Sequence, residues 1–255
     1  MITIKTKEEI AILKQGGSIL ARVLNELIKE VKPDISTSYL DKVARDLIFS
    51  FGAKPAFEGY KPSGASNPYP CALCASPNNV VVHGVPKDSV VLKEGDILKL
   101  DLGIKYQNLF TDAAITVGVG EITKERGDLI EVTRKALELG VGQVKAGSHI
   151  GDIGAAIANF VESRGLNIIR SLVGHGVGYA VHEEPNVPNY GKAGFGPDLK
   201  SGMVLAIEPM VTVGSIEVRQ SKDGFGYETI DGSLSAHFEH TVAVTGDGCL
   251  VLTKL

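Results

Sequence analysis

Four carboxylates stand inside sequence that otherwise asks to be buried. Asp101 follows Ile97-Leu98-Lys99-Leu100, Asp112 leads into Ala113-Ala114-Ile115, Glu208 follows Val204-Leu205-Ala206-Ile207, and Glu239 precedes Thr241-Val242-Ala243-Val244. Any one of them alone reads as a strand-end charge facing water. As a set they call for another explanation, because a buried unpaired carboxylate is costly and two held close repel unless a proton or cation lies between them. Two divalent cations would cancel the charge of four carboxylates, so a dinuclear, oxygen-rich metal site is the expected chemistry.

Histidines extend the set. Gly174-His175-Gly176-Val177-Gly178-Tyr179 places an imidazole between glycines, which let neighbouring backbone come close. His182 lies further along in His182-Glu183-Glu184-Pro185, and His83 in Val82-His83-Gly84-Val85-Pro86. The glycine spacing around His175 looks like a dinucleotide fingerprint, but it lacks the preceding strand and the following acidic helix, so a nucleotide cofactor is not expected. No Gly-x-Ser-x-Gly elbow offers a serine nucleophile. His149 at a helix start, and His237 and His240 on either side of Glu239, read as structural.

The elements that must position these residues occur twice. Leu92 to Asp101 resembles Leu199 to Glu208, each a turn and then an apolar strand ending on an acid, and each is preceded by a histidine three residues before a proline. Upstream, Thr6 and Glu9 form a capping box ahead of Leu13, Leu20, Leu24 and Leu27 at helical spacing, and a second helix starts near Ser38 and stops at Gly52. Leu129, Val132, Ala136 and Leu139, then Ile153, Ile157, Phe160 and Val161 with a stop at Gly165, are their counterparts. Each half therefore reads as helix, helix, a histidine-bearing strand and two acid-bearing strands. That order predicts an α+β fold with an antiparallel sheet, two pseudo-twofold halves of about 1–120 and 121–255, and acid-bearing strands meeting at the centre of one domain, 1–255. Runs 96–104 and 109–117 suggest a hairpin centred between Tyr106 and Gln107. That centre would set Asp101 opposite Asp112, with Cβ atoms roughly 4.5–5.5 Å apart.

Composition narrows the class. The 255 residues are 44% apolar, and 26 basic against 30 acidic side chains give a net charge of −4, which argues against a nucleic-acid-binding role. No apolar run is long enough for a bilayer, and the start of the chain shows no targeting segment, so a cytoplasmic protein is expected. Cys71, Cys74 and Cys249 cannot make a disulfide framework or a four-thiolate zinc site.

Asp101, Asp112, His175, Glu208 and Glu239, together with His83 and His182 in their motifs, resemble the type I methionine aminopeptidases over essentially the whole chain. The resemblance implies the pita-bread fold, an α+β domain with internal pseudo-twofold symmetry. It implies Asp112 and Glu239 as bridging ligands, Asp101 as ligand of one metal, His175 and Glu208 as ligands of the other, and Glu208 as general base. His182 would stabilise the oxyanion and His83 would bond the scissile amide or the leaving amine. Tyr69, Cys74, Val181 and Phe225 would wall the methionine side chain. Phe225 departs from a tryptophan frequent among relatives, and His237 from an amide. Cobalt, manganese, iron or zinc would suit the donor set. The implied substrate is a nascent peptide with N-terminal methionine and a small second residue, met in transient contact with the ribosome by a monomer. An Xaa-Pro aminopeptidase or dipeptidase of the same fold is the alternative enzyme, disfavoured by Met210 after Glu208-Pro209 and by His237-Phe238-Glu239-His240. An inactive binding module of the same fold is the alternative outside catalysis.

Overall fold

A computed structural model describes residues 1–61 and 66–254. Helix α1 (Lys7–Lys29) starts at Thr6, whose hydroxyl accepts from Glu9 N while the Glu9 carboxylate accepts from Thr6 N. Helix α2 (Thr37–Ser50) is capped by Ser36, slightly earlier than the sequence suggests. Strands β1 (Lys54–Pro55), β2 (Leu73–Pro77), β3 (Val80–Val82), β4 (Ile97–Tyr106) and β5 (Leu109–Gly118) complete the first half. The second half opens with α3 (Lys124–Val141) and α4 (Ile150–Ser163), the latter with His149 at its N-cap. Strands β6 (Asn167–Ile168), β7 (Gly174–Gly176), β8 (Glu183–Val187), β9 (Val204–Ile207) and β10 (Met210–Thr212) follow. They are succeeded by β11 (Val218–Gln220), β12 (Tyr227–Thr229), β13 (Ser235–His237), β14 (Glu239–Val244) and β15 (Cys249–Val251).

The main sheet runs β1-β4-β5-β14-β9-β7-β8, with β2 also on β4 and β15 also on β14. Its neighbouring strands are antiparallel, and the two halves meet where β5 pairs β14. This is the α+β, centrally joined arrangement expected. Period-two alternation sorts the faces. In β4, Leu98, Leu100, Leu102 and Ile104 enter the core under α1 and α2 with Leu20, Leu24, Leu40 and Ile48. Leu205, Ile207, Val242 and Val244 do the same beneath α3 and α4 with Leu129, Ile153 and Ile157. The residues between them, Lys99 and Asp101 on β4 and Glu239 and Thr241 on β14, point to the opposite face.

Two details differ from the sequence reading. The β4–β5 turn is the two-residue Gln107-Asn108, both at positive φ (47° and 67°), the signature of a type I′ hairpin. Its pairing is therefore two residues away from the expected register: Asp101 sits opposite Ala114, and Asp112 opposite Gly103. Since the slip is even, both acids keep the same face and become diagonal neighbours. Secondly, His83 and His182 are not within strands: one follows β3 directly and the other immediately precedes β8. His83 takes a left-handed conformation, φ 57°, which turns the chain there.

Candidate active site

Sheet register assembles the acids. Ala114 on β5 lies between Asp101 on β4 and Glu239 on β14. Glu208 comes one residue after Ile207, which pairs with His240, so continuing that register sets it opposite Glu239. His175 on β7 pairs with Ala206, two residues before Glu208 and on the same face. Five side chains from five neighbouring strands or strand ends thus converge on one patch. Asp112, His175 and Glu239 each offer a donor atom within 4.8 Å of the others. His175 Nε2 is 4.0 Å from Asp112 Oδ2 and 3.6 Å from Glu208 Oε1.

The glycines around His175 answer to crowding. A Cβ at Gly174 would lie 2.4 Å from Ala206 O, and one at Gly176 would lie 2.3 Å from Glu184 O. Only glycine lets β7 fit between β8 and β9 and bring the imidazole to the acids. His175 Nδ1 lies 2.9 Å from Gly176 O. Donation from Nδ1 to that carbonyl leaves the Nε2 lone pair turned to the carboxylates.

The electrostatics are those of a site built for cations. Asp101, Asp112 and Glu239 are 7%, 4% and 2% exposed. Among the described residues, Asp101 Oδ1, Asp112 Oδ1 and Glu239 Oε1 are buried without a hydrogen-bond partner. Burial first, and the neighbouring acids second, push Asp101, Glu208 and Glu239 well above the ordinary carboxylate range. Asp112 is pushed by burial to about 7, against the pull of the Ala113 N–H. Burial lowers His175 to about 3, so its imidazole is neutral and free to donate a lone pair. Orphaned anionic oxygens beside a neutral imidazole fit divalent cations, which would supply the missing partners and reverse these shifts.

Above the acids lies a cavity of about 580 Å³ lined by Tyr69, Cys74, Phe225, His83, Asp101 and Glu239 among others. Tyr69, Cys74, Val181 and Phe225 share one apolar cluster with Ala56 and Phe57. Cys74 pairs with Asp101 across β2 and β4, so the pocket wall and the acids are adjacent by register. The Tyr69 and Phe225 rings meet edge to face at 5.5 Å, and the Tyr69 hydroxyl is spent on Leu73 O and Gly84 O, which leaves an apolar surface. Cys71, Cys74 and Cys249 are free thiols. A second cavity of about 410 Å³ borders the same His83, His175, His182 and Glu208 and continues past Glu184 and Met210. His182, exposed at the rim, stands 4.3 Å from the His175 ring, and its Nδ1 is 2.8 Å from Tyr60 Oη. His83 is lowered to about 4 by burial and packs edge-on to Tyr227.

Several neighbours escaped the sequence reading. His237, read as structural, is buried with Nε2 3.3 Å from Glu208 Oε2, and burial lowers it to about 3. Thr241 Oγ1 accepts from Asp112 N and donates to Asp112 O at 2.9 and 2.7 Å. Lys99, fully buried, donates from Nζ to Asn78 O (2.6 Å) and Ser235 O (3.0 Å), tying β13 to the turn before β3. Thr241 and Lys99 were accessible in principle, since each lies two residues from an acid on the same strand face. Tyr60 comes from a distant loop and carries no such signal. His240 is structural, bonded to Thr253 Oγ1.

Comparison with known proteins agrees with this geometry. The chain is 43% identical over 255 residues to a methionine aminopeptidase of Clostridium perfringens, covering 100% of both chains. The crystal structure of a methionine aminopeptidase from Thermotoga maritima superposes with a TM-score of 0.96 at 43% identity, again over 100% of both. A prolidase from Pyrococcus furiosus shares the pita-bread fold at a TM-score of 0.77 and 24% identity, covering 99% of this chain and 65% of that one. Residues 11–246 match metallopeptidase family M24, and with full-length relatives above 40% identity the chain belongs to that family.

Proposed function

We propose that this chain is a methionine aminopeptidase: a metal-dependent hydrolase that removes the N-terminal methionine from peptides with a small second residue. The observation that carries the reading is the juxtaposition of the buried acid and imidazole face with a close-walled apolar pocket. Full-length relatives named for that activity support it. Residues 1–255 act in it as one catalytic unit, a reading supported by a sheet that draws strands from both halves.

In this proposal Asp101, Asp112, His175, Glu208 and Glu239 hold two divalent cations, of cobalt, manganese, iron or zinc. When bound, these cations supply Lewis acidity to the scissile carbonyl and acidify water. The protein supplies the remainder. Tyr69, Cys74, Val181 and Phe225 take the methionine side chain, and the second cavity takes the residues that follow. Glu208, the most solvent-accessible of the acids and flanked by His175 and His237, accepts the proton of the attacking water. Tyr60 Oη donating to His182 Nδ1 keeps the His182 proton on Nε2, where it can be donated to the carbonyl oxygen as charge develops. His83, neutral in its buried setting, bonds the scissile amide, and as the C–N bond breaks the proton taken up by Glu208 passes to the leaving amine.

Among the described residues no helix is long and apolar enough to cross a membrane. We place the protein in the cytoplasm, as a monomer acting on nascent chains in transient contact with the ribosome. Rates on Met-Ala-Ser and Ala-Pro-Ser peptides with added metal test the reading. Selective release of methionine is expected; comparable rates would favour an Xaa-Pro peptidase, and inertness with every metal would favour a binding module.

A further inference from the structure

Residues ahead of α1 are bound into the molecule close to the site. Lys5 N–H donates to Gly202 O at 2.8 Å, and the Lys5 ammonium lies 2.7 Å from Glu183 Oε2, with the two side chains 1% and 8% exposed. Thr3 Oγ1 donates to the same carboxylate oxygen. The other oxygen of Glu183 accepts the N–H groups of Tyr179 and Ala180. Among the described residues, the hydrogen bonds of this carboxylate therefore go to two places only: the N-terminal strap and the 178–182 loop.

That loop carries Val181 and His182. It is held at its start by Phe110 N–H donating to Gly178 O at 2.8 Å. Lys5 crosses it so closely that a Cβ at Gly178 would lie 2.4 Å from Lys5 Cε. Tyr179 adds a hydroxyl bond to Glu9 and places its ring 4.9 Å from the Lys5 ammonium. A buried ion pair of this kind contributes little net stability, because desolvation offsets much of the attraction. What it does supply is geometry, since the charge-assisted bond is short and directional. Glu183 is covalently next to His182, whose Nδ1 lies 2.8 Å from Tyr60 Oη.

We propose that the Lys5–Glu183 pair is a positioning device for His182: the N-terminal strap fixes the 178–182 loop, and through it sets the imidazole against Tyr60 and His175. The inference rests on the reading of His182 as donor to the carbonyl oxygen. Misplacement of such a group by about 1 Å can slow turnover on the order of 10²-fold.

A double-mutant cycle tests it, with Lys5→Met and His182→Ala alone and combined, read as kcat, KM, metal affinity by calorimetry and Tm. Lys5→Met should lower kcat roughly 10- to 100-fold with KM and metal affinity nearly unchanged, and Lys5→Arg should recover most of the loss. In the His182→Ala background, Lys5→Met should have no further effect on kcat, while its shift in Tm stays the same. A full multiplicative effect in that background, or a loss of metal affinity, overturns the inference while leaving the proposed function standing. If His182→Ala leaves kcat unchanged, the role of His182 fails and the inference fails with it. Should Lys5→Met not fold, Glu183→Gln, which keeps the acceptor for the loop N–H groups, runs the same cycle.

Discussion

Replacing Asp112 with asparagine should make the metal-free protein more stable and the metal-loaded protein less so. Asp112 is 4% exposed, and burial pushes its carboxyl from 3.8 to about 7. At about 1.4 kcal/mol per pH unit, that difference withholds about 4 kcal/mol of folding stability at neutral pH. The sign follows from a folded value raised above the unfolded one. Below pH 3.8 both states hold the proton and the penalty vanishes; it grows as pH rises and is complete near 7. Asparagine keeps the shape and removes the charge, but an imperfectly paired buried amide returns about 2 kcal/mol. A net gain of about 2 kcal/mol corresponds to roughly 4–8 °C in Tm for a domain of this size. Saturating metal reverses the order: at a hundredfold excess over Kd the wild type gains about 3 kcal/mol, whereas the variant has lost a donor from the Asp112, His175 and Glu239 cluster. Thermal unfolding in chelator at about pH 5 and pH 7.5, and again with manganese, measures both effects. Equal midpoints in chelator at the higher pH, or a difference that shrinks as pH rises, would refute the view that burial of charge, relieved by metal, governs this site.

Metal affinity itself should strengthen as pH rises through about 7, because Asp112, pushed there by burial, and Asp101 and Glu239, also pushed upward by burial, must release protons to become ligands; calorimetry in buffers of different ionisation enthalpy would show that release. Glu239→Ala should abolish both turnover and tight metal binding, and a variant that still hydrolyses Met-Ala-Ser would contradict the ligand assignment. His182→Ala should retain metal and slow turnover by roughly 10²–10³-fold, as loss of an oxyanion donor does. Lys99→Met should destabilise the protein by about 2–4 kcal/mol, since Asn78 O and Ser235 O lose a buried donor; urea denaturation reads this, and an unchanged midpoint would mean that β13 is held by other contacts.

How much of the protein was legible in its sequence varies by element. The helices could be read directly because capping chemistry and apolar spacing are local: Thr6 with Glu9 marks the start of α1 and Leu20, Leu24 and Leu27 its buried face. The hairpin reads two residues off register, because polar Lys105 and Tyr106 look like turn residues, yet the strand continues through them to a two-residue turn. Strand pairing is set by backbone twist at the turn, which composition reports only loosely. Nothing local shows that β13 brings His237 to Glu208. Tyr60 and Lys5 give no local signal either, as their partners His182 and Glu183 lie far away along the chain.

The elements, their duplication and the identity of the buried acids follow from residue type and short-range period alone. A carboxylate inside an apolar run is conspicuous without any coordinates. Folding in three dimensions sets which acids are diagonal rather than opposed, which histidine faces which carboxylate, and that the strap before α1 reaches the loop bearing His182. Those relations depend on sheet register and on contacts between segments distant in the chain, 33 residues apart for His175 and Glu208 and 178 for Lys5 and Glu183. Local periodicity fixes the face a side chain occupies and leaves its neighbours across the sheet open.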